Sequence, residues 1–193
     1  LVSYLILHYF YLAEYFTECG DFITINDEGD TVQAKKSFEL YSENTAYGNV
    51  LVECSKSFVY RWKVKVLQLS PPTNQSYVVG VGLDSSDKEW VNVCYLDHAK
   101  EAFIYWENDE VENNYTKEGS CSGGKFKEGD IVSMEVNTKE KSIAVAVNEE
   151  EKKTVIREEG LDWSKNYYFA VTLYPNSVDL TVKLIEFQQM VVL

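Results

Sequence analysis

The chain has 193 residues, of which 45% are hydrophobic and 25% are charged, and its formal net charge is −13. This length favours one globular domain with enough chain to bury a sizeable core. Because so negative a chain repels polyanions, the sequence predicts neither nucleic-acid binding nor attachment to an anionic membrane.

Residues 1–16 are nearly all apolar, with His8 and Glu14 among them. At 16 residues this stretch is shorter than the ~20 residues of a membrane span, and it lacks the basic start and cleavage site of a secretory signal. We expect an apolar or helical segment over residues 1–18, packed on the domain or ending a preceding one, with a truncated span as the alternative. The first residue is Leu1 rather than Met, which indicates a piece of a larger protein.

From residue 19 onward the pattern is that of short β-strands, and we assign residues 19–193 to one β-domain. The turn residues Asn26–Asp30 separate two short predicted strands, Phe22–Ile25 and Thr31–Ala34. A further apolar run follows over Tyr47–Val52. Short strands at regular spacing are typical of an antiparallel sandwich or barrel.

The stretch Phe58–Leu69 has the clearest strand pattern in the sequence. Apolar and basic side chains alternate along it, which predicts a strand with one buried and one solvated face. The buried face holds Phe58, Tyr60, Trp62, Val64 and Val66, and the solvated face holds Val59, Arg61, Lys63 and Lys65. Because each aromatic side chain buries roughly 150–250 Å², we expect this strand to lie at the centre of the core.

Tyr77–Leu83 is the next predicted strand, and it carries glycine at two positions of one face, Gly80 and Gly82. Glycine at such positions indicates that something packs closely against the strand. The group that packs against these glycines is either another part of the chain, such as a neighbouring strand or the N-terminal segment, or a bound ligand. The residues alone leave both interpretations open.

The second half of the chain continues in short strands without any alternation of strands and helices, which excludes a Rossmann-type enzyme. A hairpin is predicted from Trp90–Leu96 and Ala102–Trp106, followed by an acidic turn region over Glu107–Asn114 and a glycine-serine loop over Ser120–Gly124. The remaining predicted strands are Ile131–Asn137, Ser142–Asn148, Tyr167–Tyr174 and Val178–Phe187.

Five short motifs, in order along the chain, resemble those of the SPRY domain family, the antiparallel β-sandwich of tripartite-motif and SOCS-box proteins. They are Tyr60–Val64 (YRWKV), Val79–Gly82 (VGVG), Lys127–Val132 (KEGDIV), Ala144–Asn148 (AVAVN) and Tyr167–Val171 (YYFAV). The resemblance covers about residues 45–187 and implies an all-β fold of two antiparallel sheets. Asn137 stands where the family often has Asp, and Glu149 replaces the glycine of an Asn-Gly hairpin, which favours a looser turn.

The resemblance also implies a function. SPRY domains are non-catalytic interaction modules that hold a partner peptide in a shallow pocket of loops at one end of the sandwich, and many recruit substrates within adaptors or ubiquitin ligases. Binding hot spots favour Trp and Tyr ringed by polar groups. The loop residues here that suit such a pocket are Asn74, Gln75, Tyr77, Trp90, Trp106 and Tyr174. We expect a cytoplasmic protein that binds a protein or peptide, without cofactor or metal; its oligomeric state is not indicated.

Acidic loop residues favour a basic partner segment, provided that their loops border the pocket. They are Asp84, Asp87, Asp109 and Glu110.

Calcium prefers oxygen ligands, and an acidic run without EF-hand spacing supplies them. It consists of Glu107, Asp109, Glu110 and Glu112. The alternative function is therefore a calcium-dependent, lectin-like carbohydrate binder on a secreted or membrane-anchored chain.

Three features suggest enzyme chemistry and fall short of it. Gly119–Lys125 satisfies Gly-x4-Gly-Lys, but Phe126 stands where a magnesium-binding Ser or Thr is required. Cys94 and His98 lie on a predicted strand end and turn, where thiol and base need not meet. The four cysteines include no Cys-x-x-Cys pair, so no zinc site is predicted. A Cys-dependent enzyme using Cys94 or Cys121 is the least favoured alternative, and we predict no catalytic residue.

Overall fold

The computed structural model describes residues 13–20, 23–34, 45–70, 79–85, 102–106, 108–113, 117–120, 124–148, 153–156, 161–173 and 179–192. Within these ranges the chain forms fourteen strands. They are β1 (Phe16–Cys19), β2 (Ile23–Ile25), β3 (Thr31–Ala34), β4 (Thr45–Glu53), β5 (Phe58–Ser70), β6 (Val79–Ser85), β7 (Ala102–Trp106), β8 (Glu110–Asn113), β9 (Lys117–Ser120), β10 (Ile131–Asn137), β11 (Ser142–Val147), β12 (Lys153–Ile156), β13 (Asn166–Leu173) and β14 (Asp179–Val191).

The described strands form two antiparallel sheets of seven strands each. The order is β1–β4–β13–β6–β7–β8–β9 in the first sheet and β12–β11–β10–β5–β14–β3–β2 in the second. Apolar side chains from both sheets join in one hydrophobic core. The predicted all-β sandwich of two antiparallel sheets is confirmed.

Strand β5 is the predicted aromatic strand, and it lies in the middle of the second sheet between β10 and β14. Its most deeply buried side chains, each at most 1% exposed, are those of Tyr60, Trp62, Val64 and Val66. On the other face Arg61 forms an ion pair with Glu135, and Lys63 forms one with Glu186. Because partly exposed pairs of this kind contribute at most about 1 kcal/mol, the row of cations serves mainly as a solvated face.

Trp62 lies at the centre of an aromatic stack that joins the two sheets. Its ring centroid is 5.1 Å from that of Phe169 on β13, and the two rings are 7° from parallel. Tyr60 and Phe187 flank it from within the second sheet, with centroid distances of 5.9 and 5.4 Å. Aromatic pairs contribute about 0.5–1.5 kcal/mol each beyond the burial of their surface. The stack therefore helps to fix how the two sheets face each other.

The four strands predicted in the last third of the chain are present as β10, β11, β13 and β14. Alternate side chains of these strands point into the core, as the pattern predicts, and each is at most 7% exposed. They are Val132, Met134, Val136, Ile143, Val145, Val147, Tyr167, Phe169, Val171, Leu173, Leu180, Val182 and Leu184.

Four strands, β1, β8, β9 and β12, are not predicted by the sequence. Strand β8 occupies part of the predicted acidic turn region, and its backbone pairs with β7, with Glu112 opposite Ile104. Among the described strands, β9 lies at one edge of the first sheet and β12 lies at one edge of the second. Such strands form through main-chain hydrogen bonds to a neighbour, so they need no alternating side-chain pattern. The predicted strand Trp90–Leu96 lies outside the described residues.

Gly82 on β6 packs against the backbone of its neighbour β7. A Cβ atom at this position would lie 1.9 Å from the carbonyl oxygen of Phe103 and 2.9 Å from the Cα of Ile104. Main-chain atoms of a paired strand cannot move aside without breaking the sheet. At Gly82 the close packing predicted from the sequence therefore has a structural cause, the neighbouring strand.

The first described strand begins inside the predicted apolar segment, because β1 starts at Phe16 and pairs with β4. The Phe16 ring lies 6.2 Å from that of Phe169, so this residue belongs to the core. Residues 1–12 lie outside the described residues, and the division of the chain at residue 18 stays a prediction. In the described ranges, no helix has the length and apolar character needed to cross a membrane.

Candidate functional site

Most of the predicted partner-binding residues lie outside the described residues. These are Asn74, Gln75, Tyr77, Trp90 and Tyr174. Trp106 is the last residue of β7, and the structure describes its backbone position. The role of all six stays a prediction, but the strands that hold their segments are described. The topology therefore shows where each segment is attached.

Strand register brings several of these attachment points to one end of the sandwich. In the first sheet, Leu173 at the end of β13 lies opposite Val79 at the start of β6. Trp106 pairs with Gly80, next to Val79. In the second sheet, Ser70 at the end of β5 lies opposite Asp179 at the start of β14.

Two connections show that these strand ends lie on the same side of the molecule. Segment 174–178 joins β13 to β14, and segment 71–78 joins β5 to β6. A connection of 5 residues spans at most about 20 Å, whereas the 13 residues of β14 extend over about 43 Å. The first connection therefore cannot reach from one end of the sandwich to the other. We name the end that carries Ser70, Val79, Trp106, Leu173 and Asp179 the loop end.

The segment that carries Trp90 is attached differently. Residues 86–101 follow Ser85, which pairs with Tyr167, and precede Ala102, which pairs with Asp84. Both attachment points lie at the end of the first sheet opposite the loop end. The segments that carry Asn74, Gln75, Tyr77 and Tyr174 are thus attached at the loop end, where Trp106 ends β7. The segment that carries Trp90 is attached at the opposite end.

Residues 124–130 border the loop end, a position that no sequence pattern predicts for them. The carboxylate of Glu128 accepts the backbone N–H of Leu69 at 3.0 Å. The backbone N–H of Gly129 donates to the carbonyl of Val66 at 2.8 Å. The Lys127–Val132 motif is the sequence signal that could have located this stretch. These bonds fix the last residues of strand β5, immediately before segment 71–78.

The structure corrects one member of the predicted acidic rim. Asp84 is 1% exposed, and its carboxylate accepts the hydroxyl of Tyr47 at 2.8 Å. It is a buried polar group and cannot meet a partner at the surface. Asp109, in contrast, lies in the β7–β8 turn near the loop end and accepts the N–H of Gly124 at 2.9 Å. Asp87 lies outside the described residues, and the side chain of Glu110 is not described.

The acidic run predicted as a calcium site is only partly described. Glu107 lies outside the described residues, and of Glu110 and Glu112 only the backbone is described. In the described part of the chain, no group of three or more His, Cys, Asp or Glu side chains is arranged to hold a metal ion.

Cys54 is a buried thiol at the end of β4. Burial, with a smaller contribution from the charge of Asp162, raises its pKa to about 12. At pH 8 its thiolate fraction is therefore about a thousandfold below that of an ordinary cysteine. Cys94, His98 and Cys121 lie outside the described residues.

We expect Cys54 to be alkylated by iodoacetamide at pH 8 at least about a hundredfold more slowly in the folded chain than in the urea-unfolded chain. Mass spectrometry of the peptide containing Cys54 gives both rate constants. Rates within tenfold of each other would contradict its description as a buried, protonated thiol.

Solved structures resemble this chain in fold, whereas sequence comparisons give no match. The sequence matches no protein-family model and no curated protein. Among solved structures, the SPRY domain of human HERC1 superposes with a TM-score of 0.62 at 16% identity, covering 85% of this chain and 92% of that chain. The TRIM65 PSpry domain superposes with a TM-score of 0.58 at 11% identity, covering 90% of this chain and 89% of that one.

The carbohydrate-binding module CBM66 from Bacillus subtilis also superposes, with a TM-score of 0.47 at 9% identity, covering 92% of this chain and 94% of that one. That similarity is too weak to favour either function. The two SPRY superpositions span most of both chains, and at such low identity they show a shared fold. The chain therefore has the SPRY-like β-sandwich fold that its sequence motifs resemble.

Proposed function

Starting from the SPRY-like fold, we propose that this chain is a non-catalytic protein–protein interaction module that binds a partner peptide at the loop end. The observation that carries the proposal is the grouping of attachment points there. The strand register attaches the segments holding Asn74, Gln75, Tyr77 and Tyr174 to the end where β7 finishes at Trp106. Amide and aromatic side chains on adjacent loops suit peptide recognition.

The strands beneath the loop end provide a rigid support. Val79 and Leu173, which flank the two connecting segments, are both fully buried in the core. Hydrogen bonds from the main chain of Gly129 and Asp130 and from the carboxylate of Glu128 hold the end of β5. Binding residues on loops act most effectively when a rigid scaffold positions them. The described core therefore supports recognition by the loops without any large rearrangement.

The charge of the chain favours a basic partner segment. The formal net charge is −13, and Asp109 lies near the loop end. Opposite charges speed association and make it depend on salt. We further propose a cytosolic role in which the module recruits a partner, such as a substrate of a larger adaptor or ubiquitin ligase.

The test uses a peptide selected on the whole chain from a random display library and then synthesised with a fluorescent label. We expect Tyr77→Ala and Asn74→Ala each to raise its Kd by at least about tenfold, the loss of about 1.4 kcal/mol that truncation of a hot-spot side chain produces. Lys56→Ala is the matched control, since Lys56 is exposed in the turn between β4 and β5 at the opposite end. It should change the Kd by less than twofold.

Fluorescence anisotropy gives the Kd values, and thermal unfolding verifies that each variant is folded. Equal Kd values for the wild type and both loop-end variants would contradict the proposal. Failure to select any peptide would also count against it.

A further inference from the structure

Strand β4 contains an irregular stretch at its middle, beside β13. The register between the two strands shifts around Phe169, between Tyr168 and Ala170. As a result, residues 48–50 of β4 lie opposite Phe169. Extra residues of this kind form a bulge that frees main-chain groups from the ladder. The freed groups of β4 are used by the chain ahead of β1.

The side chain of Asn49 in this bulge binds the backbone on both sides of Glu14. Its amide nitrogen donates to the carbonyl of Ala13 at 3.2 Å, and its amide oxygen accepts the N–H of Tyr15 at 2.8 Å. The backbone N–H of Asn49 also donates to the carbonyl of Tyr15 at 3.0 Å. Three hydrogen bonds from one residue therefore hold the segment 13–15 against the bulge.

Between these anchors, the carboxyl of Glu14 enters the space left by Gly48. A Cβ atom at position 48 would lie 1.9 Å from Oε1 of Glu14, so any larger residue would displace the carboxyl from this position. The indole Nε1 of Trp62 donates to Oε2 at 3.3 Å, and the backbone N–H of Val50 donates to Oε1 at 3.4 Å. A titratable group thus reaches the aromatic stack at the centre of the sandwich.

The environment of this carboxyl favours its neutral form. Burial raises the pKa of Glu14 to about 7, and the N–H donors of Trp62, Val50 and Asn49 offset only part of that effect. The hydrogen bonds from the Trp62 indole and from the Val50 backbone N–H are long, at 3.3 and 3.4 Å. Hydrogen bonds of this length stabilise the carboxylate anion weakly. The neutral form is therefore the one that fits here near and below neutral pH.

The carboxyl meets the backbone N–H of Val50 on β4 and the indole of Trp62 on β5, and it fills the Cβ position of Gly48, which lies 3.5 Å from the Cβ of Phe169 on β13. None of these ionises in the physiological range. The titratable residues on the adjacent described strands are Glu18 and Cys19 of β1, Tyr47 and Glu53 of β4, Tyr60, Arg61, Lys63 and Lys65 of β5, and Tyr167 and Tyr168 of β13. Among the described residues, no ionised side chain contributes to the pKa shift of Glu14.

We propose that the β4 bulge and Trp62 form a pH-sensitive latch, which holds residues 13–15 against the sandwich while the Glu14 carboxyl carries its proton. The latch is distinct from the loop end and does not rest on the proposed function. Because the pKa of Glu14 is higher in the closed latch (about 7) than in the open chain (4.5), closure binds a proton. Closure is therefore strongest below pH 4.5 and weakens as the pH rises to 7.

The test is hydrogen exchange at the Tyr15 amide in the whole chain, corrected for the intrinsic pH dependence of exchange. Between pH 5 and pH 7.5, we expect its protection factor to fall by about tenfold to a hundredfold in the wild type. Glu14→Gln keeps one acceptor oxygen but cannot ionise, so it should abolish the fall. Asp27→Asn removes one charge at an exposed turn and should behave like the wild type.

The amide of Met134, in the centre of the second sheet, separates latch opening from unfolding. Its protection should not change with pH when the latch alone opens. The same pH profile in wild type and Glu14→Gln would overturn the proposal. A parallel loss of protection at Met134 would overturn it too, because the whole domain and not the latch would then be responding.

Discussion

Replacing Trp62 with alanine is expected to lower the free energy of unfolding by about 3–5 kcal/mol, the range for removal of a large buried aromatic side chain. Trp62 is 1% exposed, and its ring contacts those of Tyr60, Phe169 and Phe187. The substitution leaves a cavity between the two sheets, and three aromatic neighbours lose their partner at once. Urea denaturation followed by circular dichroism measures the effect.

Leu67→Ala is the matched control for this prediction. Leu67 lies on the same strand and is 42% exposed, so its truncation should change the free energy of unfolding by no more than about 0.5 kcal/mol. A loss below about 1 kcal/mol for Trp62→Ala would contradict the central role of the aromatic stack.

The second large effect is expected for Gly82→Ala, which should destabilise the domain by about 3 kcal/mol or more, at the upper end for overpacking. The new methyl group would lie 1.9 Å from the carbonyl oxygen of Phe103. That oxygen belongs to the main chain of β7, which can yield only if the pairing of β6 with β7 opens. The same denaturation measurement applies.

Gly129→Ala separates this steric effect from the loss of glycine itself. Gly129 has a φ of +90°, and apart from its own chain neighbours no atom lies within 4 Å of the place that a methyl group would take. Only backbone strain of about 1–2 kcal/mol is therefore expected. If Gly82→Ala destabilised the domain no more than Gly129→Ala, the close approach of β7 would not be the reason for glycine at position 82.

The sequence predicts best those strands whose two faces differ. Alternation in β5 is enough to identify its buried side chains from Tyr60 to Val66, and it identifies most of the buried side chains of β10, β11 and β13. Strands β1, β8, β9 and β12 escape prediction because main-chain pairing at or near a sheet edge holds them, and no side-chain period marks such pairing.

The candidate site is less predictable. A family resemblance selects Asn74, Gln75, Tyr77, Trp90, Trp106 and Tyr174, and no residue pattern indicates which of the strand ends that carry their segments lie at the same end of the sandwich. The position of those strand ends depends on register, which pairs Leu173 with Val79 and Ser70 with Asp179. Asp84 shows the converse, because a carboxylate that looks like part of a surface rim is buried against Tyr47.

By itself, the sequence determined the fold class, the central strand and most of the core, because the alternation of side chains along a strand is a local property. Only the tertiary structure decided which strand ends form the loop end. It also decided that Glu14 enters the bulge of β4 and reaches Trp62, 48 residues away along the chain. Contacts at that separation depend on strand pairing and packing, which no local pattern of residues encodes.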